Sequence, residues 1–149
     1  MDQLQKRDWL LLILDSAEGR SLSPVQLQKT LFLLKEKAPN VVGDGFYNFI
    51  PYNYGPFDAA IYSDAEALQA ENLVAISAPT GQRWKNYSLT QQGADTVRRL
   101  KENLNTQHAD YLRKLVGWVL AKDFNTLLRW IYTQYPRYRK NSVFQGELS

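Results

Sequence analysis

Leu10, Ile13, Leu14 and Ala17 return at steps of three and four, the spacing that lays one face of a helix on a core. They predict an amphipathic helix over residues 3–18, stopped near Gly19. A second helix has a sharper start. Ser23 stands where an N-cap belongs, Pro24 at the first helical position, and Gln26 where a capping box uses Glu or Gln. Leu27, Leu31 and Leu34 give it an apolar stripe, so a helix is expected from Pro24 to about Lys37, closed by Pro39 and the glycines Gly43 and Gly45.

The stretch "GFYNFIPY" then reads as a short strand, confined to an edge or an end because Pro51 has no N–H for a ladder. Gly55 and Pro56 turn the chain, and Pro56 is expected to preset the first turn of a third helix, residues 56–72, with Ala60, Ile61, Ala65 and Leu68 inward. "LVAIS", "APTG" and "QRWKNYSL" predict strand, turn and strand, with Gly81 at the turn. Thr90 is an N-cap candidate for a helix in which Ala94, Val97 and Leu100 face inward. Two further helices, Thr106–Leu120 and residues 123–135, carry Leu112, Leu115, Val116 and Val119, then Leu127, Leu128 and Ile131. The polar residues 137–149 are expected to fray.

The order helix, helix, short strand, helix, hairpin, helix predicts a mainly helical α+β fold. Its core, residues 1–105, is expected to be a winged helix-turn-helix with a small β-hairpin wing. Residues 106–149 form a C-terminal helical extension packed on the same domain.

Length and composition narrow the functions. A chain of 149 residues buries roughly 70% of its unfolded surface, so it needs no staple. It has no cysteine and one histidine, His108, which removes disulfides and thiolate metal sites and leaves His108 a surface or capping role. The large apolar run Trp9–Leu14 is six residues, far short of the roughly 20 that cross a bilayer. A cytoplasmic protein with no membrane contact, no metal and no cofactor is expected.

Charge is uneven. Residues 1–75 hold six Lys/Arg against ten Asp/Glu, whereas residues 98–140 hold ten against three. An acidic front and a basic back point to an acidic ligand for the back, to docking of one half on the other, or to a mixed solvated surface.

The would-be recognition helix, the third, carries Asp58, Asp64, Glu66 and Glu71 and no Lys or Arg, which opposes the ordinary mode of pressing that helix into DNA. A wing-led mode remains, with Arg83, Trp84 and Lys85 at the backbone or minor groove and Arg98, Arg99 and Lys101 beside them. Seven rings fall within residues 46–62. Phe46, Phe49, Tyr52, Tyr54 and Phe57 either fill the space between helices two and three or lie partly outside the core, where rigid aromatic area favours a protein interface. With Asp58, Asp64 and Glu66 as a negative rim, that surface would suit a basic protein partner better than DNA. Asp58, Ser63, Asp64 and His108 make no recognisable catalytic set, so no enzyme is expected. The tail "LLRWIYTQYPRYRKNS" interleaves rings with Arg129, Arg137, Arg139 and Lys140. It either stacks on single-stranded nucleic acid or lays Leu128 and Ile131 on the core with its basic side toward the acidic front.

Four stretches together carry a resemblance: "LQKTLFLL" (residues 27–34), "YNYGPF" (residues 52–57), Ile61-Tyr62, and "YSLT..G" from Tyr87 to Gly93. Over roughly residues 5–105 the chain resembles the Panacea domain family, the SocA-like antitoxins, or a divergent cousin with a winged-helix core. Members are often encoded beside a toxin or in phage and mobile regions. The resemblance implies a non-enzymatic neutraliser that binds a cognate toxin directly, some relatives acting as adaptors for proteolysis. The expected contact residues are Tyr52, Tyr54, Phe57, Asp58, Asp64 and Glu66, with a DNA-binding regulator as the alternative. Weak nucleic-acid binding and a homodimer are further expectations.

Overall fold

The computed structural model describes residues 4–144. Helix α1 (Lys6–Asp15) is shorter than the pattern predicts. It ends where the Ser16 hydroxyl donates to the Leu12 carbonyl at 2.8 Å and Glu18 and Gly19 take left-handed φ of 54° and 87°. Gln3, the expected first residue, lies outside the described residues. Helix α2 (Pro24–Lys37) begins where its capping box puts it. The Gln26 N–H donates to Ser23 Oγ at 3.2 Å and the Ser23 N–H to Gln26 Oε1 at 2.9 Å, satisfying two orphan donors. Pro39 does not simply stop the chain but starts a one-turn helix, α3 (Pro39–Val42).

The next stretch departs from expectation. Strand β1 (Ile50–Tyr52) pairs with β2 (Gly55–Phe57), so Gly55 and Pro56 belong to a hairpin and not to a helix start. Gly55 takes φ 95°, a conformation glycine adopts at no steric cost, and the loop before it is only Asn53 and Tyr54. Pro51 lies opposite Pro56. Neither has an N–H, so both sit at the one cross-strand pair, and the ladder must be made by its neighbours. Helix α4 runs Ala60–Ala70, four residues later than predicted, and the Asp58 carboxylate accepts the Ala60 N–H at 2.9 Å.

Strands β3 (Val74–Ser77) and β4 (Asn86–Leu89) form the second hairpin. It is shorter than "QRWKNYSL" suggests, which leaves Arg83, Trp84 and Lys85 on the connecting loop. Leu22, just before α2, joins this hairpin through a bridge to Tyr87, with N–H···O distances of 2.9 and 2.8 Å. Helices α5 (Gln91–Lys101), α6 (Thr106–Leu120) and α7 (Phe124–Gln134) fall close to their predicted places. With 57% helix and two small antiparallel hairpins, the fold is mainly helical α+β. Among the described residues no helix is long and apolar enough to cross a membrane.

The core is one cluster from Trp9 to Tyr138, centred on the wholly buried Leu10–Ile13 of α1 and Leu31–Leu34 of α2. The tail does not fray where it is described. A 3-10 turn, Pro136–Arg139, buries Tyr138, whose ring meets Phe32 edge-on at 4.9 Å; Tyr135 does the same at 5.1 Å. Residues 145–149 lie outside the described residues. Among the described residues the ion pair that joins the acidic front to the basic back is Lys101–Asp15 at 2.6 Å, and it lies on α5 and not on the tail.

Gly93 explains the "YSLT..G" exit. Thr90 caps α5 by accepting the Gly93 N–H at 2.9 Å and donates its hydroxyl to the Asn72 carbonyl at 2.6 Å, so the helix starts hard against the strand entry. A Cβ on Gly93 would fall 2.0 Å from the Leu73 carbonyl oxygen, which is backbone and cannot swing away. Gly93→Ala is therefore expected to destabilise the fold by about 2 to 3 kcal/mol, an overpacking cost read as a lowered midpoint in urea unfolding.

Candidate functional site

Two adjacent residues of α2 hold the β1–β2 hairpin from beneath. The Gln28 amide brackets one residue, donating to the Asp58 carbonyl at 2.9 Å and accepting the Asp58 N–H at 3.0 Å. Lys29 is 2% exposed, and its Nζ donates to the Pro56 carbonyl at 3.0 Å. Burial pulls the Lys29 ammonium down to about 7, because desolvation penalises the charged form. Gly55 lies directly over this side chain. A Cβ there would be 3.4 Å from Lys29 Cε and 3.5 Å from the Tyr132 ring.

The hairpin tip is tied from the side. Tyr132 donates its hydroxyl to Ser142 Oγ at 2.6 Å, Ser142 donates to the Asn53 carbonyl at 3.2 Å, and the Val143 N–H donates to that same carbonyl at 2.9 Å. With its backbone fixed on two sides, the hairpin has no freedom to fold its rings inward. The seven rings accordingly divide. Phe46, Tyr47 and Phe49 are buried, Phe57 and Tyr62 are half-buried, and Tyr52 and Tyr54 are exposed. Tyr52 stacks on Phe57 at 4.5 Å, and Tyr54 meets Phe124 of α7 edge-on at 5.5 Å. Among the described residues six large apolar side chains are exposed, and five of them (Ile50, Tyr52, Tyr54, Phe124 and Val143) belong to this hairpin or the two segments that touch it; Trp84 is the sixth. Contiguous exposed apolar patches are enriched at interaction surfaces, whereas scattered single residues are ordinary.

The expected acidic rim is largely absent. Asp58 accepts the Asn48 N–H and the Ala60 N–H, both at 2.9 Å, and so spends its carboxylate tying the segment before β1 to the start of α4. Asp64 accepts the Tyr47 hydroxyl at 2.7 Å. Burial and the Asp64 carboxylate together push that hydroxyl well above its ordinary range. Glu71 pairs with Arg7 at 2.7 Å. Glu66 is left as the exposed acid of the three proposed contacts.

The alternative set is only partly assembled. Arg83, Trp84 and Lys85 are exposed together on the β3–β4 loop. On α5, Arg98 pairs with Asp95 at 3.2 Å and Arg99 donates to Thr96 at 3.3 Å, so those cations make their contacts within their own helix. Ser63 is exposed on α4, and His108 lines a separate apolar cleft of about 180 Å³ with Trp9 and Leu112. A second cleft of about 450 Å³ carries Arg7, Asp64 and Lys6, all already engaged: the first two as above, and Lys6 over the Tyr47 ring at 5.1 Å. Among the described residues no group of acids and histidine is placed to hold a metal ion.

Sequence reasoning missed Gln28, Lys29, Phe124, Tyr132 and Ser142. One signal was available: Gln28, Lys29 and Thr30 are three consecutive polar residues between Leu27 and the apolar Leu31–Leu34, and all three are buried. No protein-family model and no curated protein matches the chain.

Proposed function

We propose that the protein is a toxin-neutralising, antitoxin-like binding module of a prokaryotic or phage toxin–antitoxin system, and that the β1–β2 hairpin is its contact with the cognate toxin. The observation that carries this reading is the gathering of three exposed apolar side chains on the hairpin, Ile50, Tyr52 and Tyr54, with Phe124 and Val143 on the segments beside it, over a backbone clamped from beneath and from the side. A face fixed in advance loses little entropy on docking, which is what a tight protein interface requires. The residues behind the Panacea resemblance support it in a specific way. Gln28, Lys29, Gly55 and Pro56, quoted for their likeness, are the ones that hold the hairpin in place. The protein works by binding, without catalysis, in the cytoplasm.

The winged-helix reading of the core draws support from the Leu22–Tyr87 bridge, which adds a third strand position to the β3–β4 hairpin as such folds do. It also keeps the runner-up alive, a DNA-binding regulator acting through Arg83, Trp84 and Lys85. Helix α4 carries no cation, so the module is expected to hold duplex DNA weakly and without sequence preference. The test pairs two assays. Co-expression with the product of the adjacent reading frame should restore growth, and gel shifts at physiological salt should find no preferred sequence. Tight, sequence-selective binding without rescue would reverse the order of the two readings.

A further inference from the structure

The edge of the hairpin bearing Ile50 and Tyr52 faces cations. Strand β1 packs against the Pro136–Arg139 turn. Arg137 and Arg139 of that turn and the following Lys140 are exposed, and among the described residues none of the three forms an ion pair with an acid. Arg137 lies 4.6 Å from the Tyr138 ring centre. A polar groove of about 290 Å³ runs between this turn and α2, lined by Lys35, Glu36, Asn48, Phe49, Arg137 and Tyr138. Among the described residues Glu36 is the one carboxylate that lines it, and Lys35 is spent on the Tyr47 carbonyl at 2.7 Å. The apolar strip and the cations are held in fixed relation, since Tyr138 is buried against Phe32 and Ser142 is tied to Asn53.

We infer that this surface takes an acidic protein segment bearing aromatic or aliphatic side chains. Its apolar groups seat on Ile50, Tyr52 and Tyr54, and its carboxylates face Arg137, Arg139 and Lys140. The inference rests on the protein-binding reading above and specifies the partner's chemistry within it, replacing the basic partner that the sequence suggested. Buried apolar anchors give such a contact its affinity, and the cations at its rim give orientation and association rate. Single-stranded nucleic acid fits less well. Tyr132 and Tyr138 are buried, so the basic tail offers no row of rings on which successive bases could stack.

The test is an amide-resonance titration of the whole protein with three probes: a capped peptide alternating Glu with Trp and Leu, the same peptide with Lys for Glu, and oligothymidylate. The Glu peptide is expected to perturb Ile50, Tyr52, Tyr54, Arg139 and Lys140 and to bind roughly tenfold more tightly than the Lys peptide at low salt. The triple change Arg137→Ser, Arg139→Ser, Lys140→Ser should remove most of that preference, and salt should erode it over a Debye length of about 8 Å. Equal affinity for the two peptides, perturbation elsewhere, or tighter oligothymidylate binding at the same residues would overturn the inference. Failed growth rescue with the Glu peptide still seated here removes the toxin reading and supports this surface. Rescue combined with preference for the Lys peptide overturns this surface alone.

Discussion

Replacing Lys29 by Met is expected to abolish a rise in stability with pH that the natural chain shows between about pH 7 and pH 9.5. In the folded protein, burial holds the Lys29 ammonium near 7, below its ordinary value of 10.5. Between those values the unfolded chain binds a proton that the folded chain does not, so stability increases as pH rises. Below the folded value both states are charged and the cost of burying the ammonium is fully present. Over this window the group contributes roughly 3 kcal/mol. Several tyrosines complicate the picture only at higher pH. Burial raises Tyr62 to about 12, so tyrosines of this kind lower stability as pH climbs past their ordinary value of 10. The comparison therefore stops at about pH 9.5, and subtracting the Met variant removes what the two chains share. At low pH the variant should be the more stable chain. At high pH it should be the less stable, because it leaves the Pro56 carbonyl without its donor. Urea midpoints across the pH series decide it, and parallel curves would mean that Lys29 reaches water in solution.

That one residue illustrates what the sequence could and could not reveal. Local signals were legible. Ser23, with Gln26, and Thr90 each cap the helix that follows, since a side chain and an N–H three residues away are a purely local pair. The β1–β2 hairpin was not legible, because Gly55-Pro56 is equally good chemistry for a turn before a helix. Contacts distant in sequence decided between the two: Lys29 with Pro56, Gln28 with Asp58, and Ser142 with Asn53. The acidic rim misled for a related reason. Composition counts the charge of Asp58 and Asp64, but only the fold tells that one carboxylate accepts two backbone N–H groups and the other a tyrosine hydroxyl. The tail misled in the opposite sense. Its charges drew attention, while its buried rings, Tyr132 and Tyr138, fix its place.

The largest functional effect is expected from the hairpin tip. Tyr54 and Phe124 meet edge-on, are 45% and 42% exposed, and take no part in the clamp beneath. Tyr52 is a poorer choice, because it stacks on Phe57 and its loss would disturb the hairpin itself. The double change Tyr54→Ser, Phe124→Ser should leave the unfolding free energy within about 1 kcal/mol of the natural chain, about 0.5 kcal/mol being the usual range for each surface position. Aromatic anchors at the centre of an interface cost about 2 kcal/mol or more when truncated, and since these two rings touch, their costs overlap, so the partner's affinity should fall by roughly a hundredfold or more. On the antitoxin reading proposed above, calorimetric titration of the cognate partner protein into both chains measures this directly. A hundredfold loss of affinity with an unchanged fold is the predicted result; unchanged affinity would place the contact elsewhere and contradict the assignment of the hairpin as the docking face.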